Sequence, residues 1–450
     1  PKYELVFSWK SPQAILHKLG KGKSLFEKLA SPGMAGAREL DLRGLGLKQV
    51  PEAEILLHAD TLEKLDLSNN ELSDLPASFK SLKNLKILFC SFNKFTKLPA
   101  VVGQMPSLFM LAFRDNLITE IPENSLSSTI GWLILTNNKL RTLPRSIGRL
   151  TNLRKLMLSG NQLRSLPPEM SQCRQLELVR LASNRLAVPP AWLAELPRLA
   201  WVALAGNSPE EGWVAVGASA APAATVPAAA APPPGRVIPW EELRVEEAAL
   251  GDGTSGRVHR AEWTPPGAAA PRPVAVKVFK GAAGSDGAPG DEAAAALACG
   301  PHPHLVGALG RVGGHPAGGE RLVLRLVPAH FAPLGAPPSL ATVTRDTFPA
   351  PRAHLTARAA LEALRGVAAG LEFLHAQGLA HGDVYAHNVL LDARTGEAVL
   401  ADFGAAFPYP KEAGAPDYQA PEVRAFGLLV ADVLGLLGGA AAAGAAGRRL

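Results

Sequence analysis

Cysteine is nearly absent from this sequence. Only Cys90, Cys173 and Cys299 occur in 450 residues, at separations that match neither a disulfide framework nor a metal-ligand spacing, so reduced thiols are expected. Charge is also sparse, at 19% of residues against 47% hydrophobic, which places the chain among globular proteins with thinly charged surfaces. A nucleic-acid signature is missing. The formal charge of +6 arises largely in residues 1–36, where six lysines face only Glu4 and Glu27, and no aromatic interleaving accompanies them. The first ten residues lack the charged-then-apolar layout of a secretory leader. One long apolar run, residues 425–447, is broken only by Asp432; it is read below as a buried helix, so no membrane span is expected. A cytoplasmic setting follows, and 450 residues exceed what one core usually organises.

What the sequence does have is a repeat. The pattern L-x-x-L-x-L-x-x-N-x-L recurs with its leading residue at Leu62, Leu85, Leu108, Ile130, Leu153, Leu176 and Leu199, at spacings of 22 or 23 residues. Asparagines keep the same register at Asn70, Asn93, Asn116, Asn138, Asn161, Asn184 and Asn207. Leu40, Leu42 and Leu47 fit a degenerate first copy, giving about eight repeats over 37–208. Each short strand sends two leucines inward, such as Leu65 and Leu67, with Asp66 outward. The asparagine side chain can satisfy backbone groups that a tight bend leaves unpaired. Cys90 and Cys173 fall on apolar positions and read as packing thiols.

The third and fifth positions of each unit point away from that core. Phe89, Met110, Trp132, Ile134, Met157 and Trp201 fall there and would form an apolar face for a protein partner, the alternative being that the C-terminal domain or another copy of the chain covers it. Residues 209–239 then turn to Ala, Pro and Gly, too proline-rich to fold alone, and read as a linker.

From Leu250 the chain reads Gly251-Asp-Gly253-Thr-Ser-Gly256-Arg-Val258, a weak signal alone. A strand pattern ending in Lys277 follows, Val274-Ala275-Val276-Lys277, and then a helix opened by Asp291-Glu292. Leu361, Leu364, Val367, Leu371 and Leu374 mark one face of a helix over 361–377, stopped by Gly378. Directly after it stand His381-Gly382-Asp383 and Asn388, with Asp402-Phe403-Gly404 beyond. Together, in this order, these fragments make residues 240–450 resemble a eukaryotic-type protein kinase. The whole chain resembles the cytosolic leucine-rich-repeat protein kinases whose catalytic loop reads His-Gly-Asp.

That resemblance implies an α/β leucine-rich-repeat solenoid joined to a two-lobed α+β kinase domain. It also implies ATP and Mg2+ as cofactors and protein as substrate, with serine or threonine as the default acceptor. Leu250, Gly251, Gly253, Gly256, Val258 and Ala275 would surround the nucleotide, and Lys277, paired with Glu292, would grip its phosphates. Asp383 would accept the hydroxyl proton, and Asn388 and Asp402 would hold the metal. Some positions depart from the pattern. Gly382 replaces the arginine that docks a phosphorylated activation loop, so control through loop phosphorylation is not expected. Tyr385 replaces a lysine that contacts the γ-phosphate, with His387 as a nearby substitute. Ala420-Pro421-Glu422 fits either the end of an activation segment or the start of the next buried helix, and the continuing apolar run favours the helix. After Leu437 only Gly, Ala and Arg-Arg-Leu remain, so a truncated C-lobe is expected. The alternative to an active kinase is a repeat scaffold carrying a pseudokinase that binds ATP without efficient transfer.

Overall fold

The computed structural model describes residues 36–187, 189–207, 236–253, 255–281, 284, 286–348, 355–411 and 416–446. The basic segment 1–36 (apart from Gly36) and most of the expected linker 209–239 lie outside the described residues. The chain divides into two compact units, Pro1–Leu153 with Leu166–Cys173, and Arg154–Ser165 with Arg174–Leu450.

In the first unit, strands β1 (Glu39–Asp41), β2 (Lys64–Asp66), β3 (Ile87–Phe89), β4 (Met110–Ala112) and β5 (Trp132–Ile134) pair in parallel, one per repeat. Leucines 65, 88, 111 and 133 are fully buried beneath them. The asparagine ladder works as the turn chemistry demands. Asn93 Oδ1 accepts the Leu72 amide at 2.9 Å, while Nδ2 donates to the Leu67 and Cys90 carbonyls at 3.0 and 3.1 Å. The residue before the ladder position takes a left-handed conformation, φ 52–56°, at Asn69, Phe92, Asp115 and Asn137. On the opposite side, Pro76, Pro99, Pro144 and Pro167 each precede a short 3-10 turn, their fixed φ suiting the entry. Cys90 and Cys173 are fully buried, and burial pushes both thiols up, Cys173 to about 11.

The second unit opens with the last three repeat strands, β6 (Lys155–Met157), β7 (Leu178–Arg180) and β8 (Trp201–Ala203), also parallel. The same unit contains a six-stranded sheet in the order β10-β11-β12-β14-β13-β9. Its strands are β9 (Val237–Pro239), β10 (Leu243–Asp252), β11 (Gly256–Trp263), β12 (Arg272–Phe279), β13 (Ala308–Gly313) and β14 (Arg321–Arg325). β9 pairs in parallel with β13, so the last residues of the expected linker belong to this sheet. Val274, Val276, Val323, Ala261 and Trp263 form the core on one face.

Besides the short helix Trp192–Glu195, three longer helices belong to the unit: α1 (Pro289–Cys299), α2 (Ala357–Ala376) and α3 (Gln419–Ala446). Thr356 caps α2, its Oγ1 accepting the Ala359 amide at 3.1 Å. Its buried stripe is Ala360, Ala363, Val367, Leu371 and Leu374; Leu361, expected on that face, is exposed. The helix starts four residues earlier than its apolar pattern indicated, and alanines supply the inner stripe at its first turns. Short strands β15 (Ala332–Pro333), β16 (Leu379–Ala380), β17 (Val389–Leu391), β18 (Ala398–Leu400) and β19 (Phe407–Pro408) frame the loops between α2 and α3. Residues 425–437 sit in α3 with Ala425, Leu429 and Val433 buried and Asp432 paired to Arg345. Among the described residues no helix is long and apolar enough to cross a membrane.

The repeat strands of this unit share a core with its helices. Leu178, Ala200 and Trp201 lie in one apolar cluster with Val384, Tyr385, Ala386, Phe403 and the inner face of α2. The Trp201 ring stacks on Tyr385, centroids 4.4 Å apart and planes 4° from parallel, and its Nε1 donates to the Val384 carbonyl at 3.0 Å. Such pairs add about 0.5–1.5 kcal/mol beyond the area they bury. Tyr418 donates to Pro189 O at 2.7 Å, and Arg424 to Leu199 O at 2.7 Å. Trp201→Ala is therefore expected to destabilise this unit by about 3–5 kcal/mol, read as a lowered denaturation midpoint of the full chain. An effect under about 1 kcal/mol would place Trp201 outside the core, since surface changes rarely exceed that.

Candidate functional site

The β10–β11 hairpin carries the glycines. Gly251 lies opposite Val258 in register, and the Gly253 amide closes the turn on Gly256 O at 3.0 Å. Gly256 is sterically required, because a Cβ there would lie 2.5 Å from the Val278 carbonyl oxygen. Lys277 on β12 stands opposite Val258, next to the hairpin. Its ammonium pairs with Glu292 of α1 and lies 3.9 Å from Asp402 Oδ1. Both members of the pair are buried, and burial pushes the Glu292 carboxyl up to about 7, against the pull of Lys277. Ala275 is buried beneath the sheet, Val258 is half-buried and Leu250 is exposed.

The second half of the site lies between α2 and α3. Asn388 Nδ2 donates both to the Asp383 carbonyl and to Asp383 Oδ2, at 2.9 Å each. Asp402 adopts φ 66°, uncommon for a non-glycine residue, and its Oδ1 accepts the Gly404 amide at 3.1 Å. Its side chain is 48% exposed. Glu422, in the first turn of α3, holds the loop of His381–Asn388 from beneath: it accepts the Gly382 amide at 2.7 Å and pairs with His375 at 2.5 Å. Those contacts belong to the helix reading of the Ala420-Pro421-Glu422 segment.

Asp383 and Gly382 also meet the repeats of their own unit. Arg180, at the end of β7, pairs with Asp383 Oδ1, donates Nε to Asp286 at 2.9 Å, and reaches Gly382 O at 3.4 Å. It is 4% exposed. Burial alone would hinder ionisation of Asp383, but Arg180 and then His387 outweigh it and hold the carboxyl below the usual range. Lys155 on β6 feels the same group of charges; burial and then Arg180 lower it to about 8 against Asp383 and Asp286. Gly382 takes φ 75°, and a Cβ on it would overlap the Val202 carbonyl oxygen and lie 2.6 Å from that of Ala405. The Val202 amide in turn donates to Gly382 O at 3.2 Å.

The structure thus brings together Lys277, Glu292 and Asp402 on one side and Asp383 with Asn388 on the other. His387 does not stand in for the missing lysine. Its Nδ1 engages Asp346 at 2.7 Å, and although burial disfavours its charge, that carboxylate raises it. Trp201, expected on an open partner face, is covered by Tyr385, and Met157 packs against the same core. In the first unit Phe89, Trp132 and Ile134 are half-buried and Met110 is buried among them, in register across β3, β4 and β5. Arg180, Asp286 and Lys155 escaped the sequence reading. The only signal for Arg180 was a lone cation in the column of outward fifth positions.

A nucleotide with magnesium fits these residues. Asn388 spends its Nδ2 on Asp383, which leaves Oδ1 as a metal donor, and Asp402 Oδ2 carries no protein hydrogen bond among the described residues. Among those residues no group of three or more His, Cys, Asp or Glu is placed to hold a metal, so Asn388 and Asp402 would share the ion with phosphate oxygens, as magnesium commonly requires.

Residues 245–418 match the family of protein tyrosine and serine/threonine kinases, and residues 60–101 and 128–186 match leucine-rich-repeat families. Over 124 residues the chain is 41% identical to the Dictyostelium discoideum protein named "Probable serine/threonine-protein kinase pats1", covering 26% of this chain and 4% of that one. Over 130 residues it is 30% identical to an adenylate cyclase of Schizosaccharomyces pombe, covering 26% and 7%. The chain spans less than a tenth of the length of either relative. A solved leucine-rich-repeat protein of Leptospira interrogans aligns at 30% identity and a TM-score of 0.36, over 41% of this chain and 53% of that one. The chain therefore combines leucine-rich repeats with a protein tyrosine and serine/threonine kinase domain, the make-up of a leucine-rich-repeat kinase.

The Glu292 carboxyl sets a pH dependence. Burial raises it to about 7, so as the pH falls through that value the carboxylate loses its charge and the ion pair with Lys277 is broken, whereas above it the ionised carboxylate holds the lysine in place. Nucleotide affinity is expected to rise several-fold between pH 6 and pH 8 in the parent and to vary much less in Glu292→Gln, measured by calorimetry in parallel. Identical pH profiles in the two proteins would contradict this.

Proposed function

We propose that the chain is an ATP- and Mg2+-dependent protein kinase acting in cytoplasmic signalling, with serine or threonine as acceptor. Residues 240–450 would form the kinase portion, 209–239 the joining segment and 37–208 the repeats that recruit a protein. The observation that carries this reading is the convergence of the buried Lys277–Glu292 pair and Asp402 with the Asn388–Asp383 pair. In phosphoryl transfer the reaction is driven by placed charge more than by covalent help. Lys277, held by Glu292, would neutralise the non-transferred phosphates, while Leu250, Val258 and Ala275 would border the base and Gly251, Gly253 and Gly256 would cover the phosphates. Magnesium, when bound, supplies charge that offsets the negative phosphoryl oxygens. Asn388 and Asp402 would hold it. Asp383 would take the proton of the acceptor hydroxyl as that oxygen bonds to the γ-phosphorus and the bond to the bridging oxygen of ADP breaks.

Two experiments test this. Lys277→Met and Asp402→Asn should each lower transfer of label from radioactive ATP to generic protein substrates by at least about a hundredfold, the scale of losing a charge that acts in the transition state. Transfer that survives both substitutions would sink the assignment, and parent protein that binds ATP without transferring label would favour the pseudokinase reading. In the first unit, the apolar face built from Phe89, Met110, Trp132 and Ile134 supports a protein-docking role. Phe89→Ala with Trp132→Ala should leave the melting of the chain nearly unchanged and lose proteins co-purified with the parent; an unaltered set of co-purified proteins would rule this face out.

A further inference from the structure

We propose that Arg180, carried by a leucine-rich repeat, is the cation that contacts the γ-phosphate of the bound nucleoside triphosphate, so that the phosphoryl-transfer site is completed by the repeats. The inference rests on the kinase reading above and deepens it.

The catalytic loop does not furnish this charge itself. A departing phosphoryl group needs positive charge fixed beside it, yet the loop carries Gly382 and Tyr385, and His387 is committed to Asp346. His381 is fully buried, and burial disfavours its charged form. Arg180 is the guanidinium that reaches Asp383, the residue placed to meet the acceptor hydroxyl. A guanidinium has five N–H donors. Three are used, on Asp383, Gly382 O and Asp286, which leaves two without a protein acceptor among the described residues, one on each terminal nitrogen, in the planar fork that suits phosphate oxygens.

The alternative is that Arg180 is a plug that must withdraw before the kinase can work. The packing argues against withdrawal. Moving β7 and β8 off the catalytic loop would strip Trp201 from Tyr385, break the backbone bond between Val202 and Gly382, and open the cluster of Ala182, Ala203 and Ala405. Gly382 itself is shaped for this contact, since a side chain there would collide with Val202. The repeats are built into the loop, so Arg180 is resident in the site in its working form.

The test uses the purified full chain with magnesium, comparing ADP with the β,γ-imido analogue of ATP by calorimetry and measuring turnover on a generic protein substrate. The parent should prefer the analogue over ADP by about tenfold, the value of one good charge-assisted contact. Arg180→Ala should abolish that preference while changing the ADP affinity less than twofold, a split that a merely structural role would not give. Turnover at saturating ATP should fall at least about a hundredfold, in line with other arginines that act on the transferring phosphoryl group. Arg180→Lys should restore part of both. If the alanine variant does not fold, Arg180→Gln, which is shorter but keeps a hydrogen-bonding side chain without the charge, is read in its place. Higher turnover in the alanine or glutamine variant would identify a plug and overturn the proposal, as would an undiminished preference for the triphosphate. Should the parent transfer no label while its triphosphate preference still depends on Arg180, the transfer reading fails and this contact stands. Should Lys277→Met leave all nucleotide binding intact, the nucleotide site is misplaced and Arg180 falls with it.

Discussion

The close approach of two backbones, Gly382 and Val202, is the constraint on which the second unit turns. One donates to the other at 3.2 Å, and the approach is possible only because residue 382 has no side chain and can adopt φ 75°. From that contact the rest follows by geometry. β8 is brought flat against the His381–Asn388 loop, which sets Trp201 over Tyr385; β7, one repeat earlier, is then aligned so that Arg180 reaches Asp383 and Asp286. Glu422 fixes the other side of the same peptide by accepting the Gly382 amide. A single residue is thus held from above by a repeat strand and from below by a helix.

The charges around it are arranged with little slack. Lys155, Arg180, Asp286 and Asp383 form a group of two cations and two carboxylates in which Arg180 and Asp383 are largely buried and would each be costly alone. Balanced, they stabilise one another. Deleting one partner leaves an uncompensated buried charge, so such a group fixes a geometry more than it adds net stability. The Lys277–Glu292 pair follows the same logic farther up the domain, and its burial is deep enough to move the carboxyl towards neutrality.

Periodicity made the repeats legible. Leucines at fixed offsets must point inward and asparagines at fixed offsets must turn the chain, and both do so in the structure. The Lys277–Glu292 pairing could be anticipated because a strand-borne lysine and an acidic residue opening the next helix are close in sequence. Arg180 and Trp201 show where such reading stops. A strand's alternation says which residues point away from its own core, and it says nothing about what covers them. Trp201 could therefore face an outside partner or the chain's own C-terminal part, and its partner lies 184 positions later in the same chain. Gly382 was legible as a lost cation, whereas its physical role is steric room, a property visible only when the neighbouring carbonyls of Val202 and Ala405 are in place. Leu361 erred in the opposite direction: a leucine was assumed to lie inward, but small alanines fill the close contact instead.

Repeat arrays commonly change length by gaining or losing whole units, here 22 or 23 residues at a time. The shared core of β6 to β8 with the His381–Asn388 loop restricts where such events are harmless. A duplication or deletion among the earlier units leaves the loop's neighbours untouched, while the same event between Arg154 and Asn207 would replace Arg180, Trp201 or Val202 with residues of another register. The structural module is therefore larger than the stretch 245–418 that matches a kinase family, and an exchange of that stretch alone would leave it without the final three repeats it packs against.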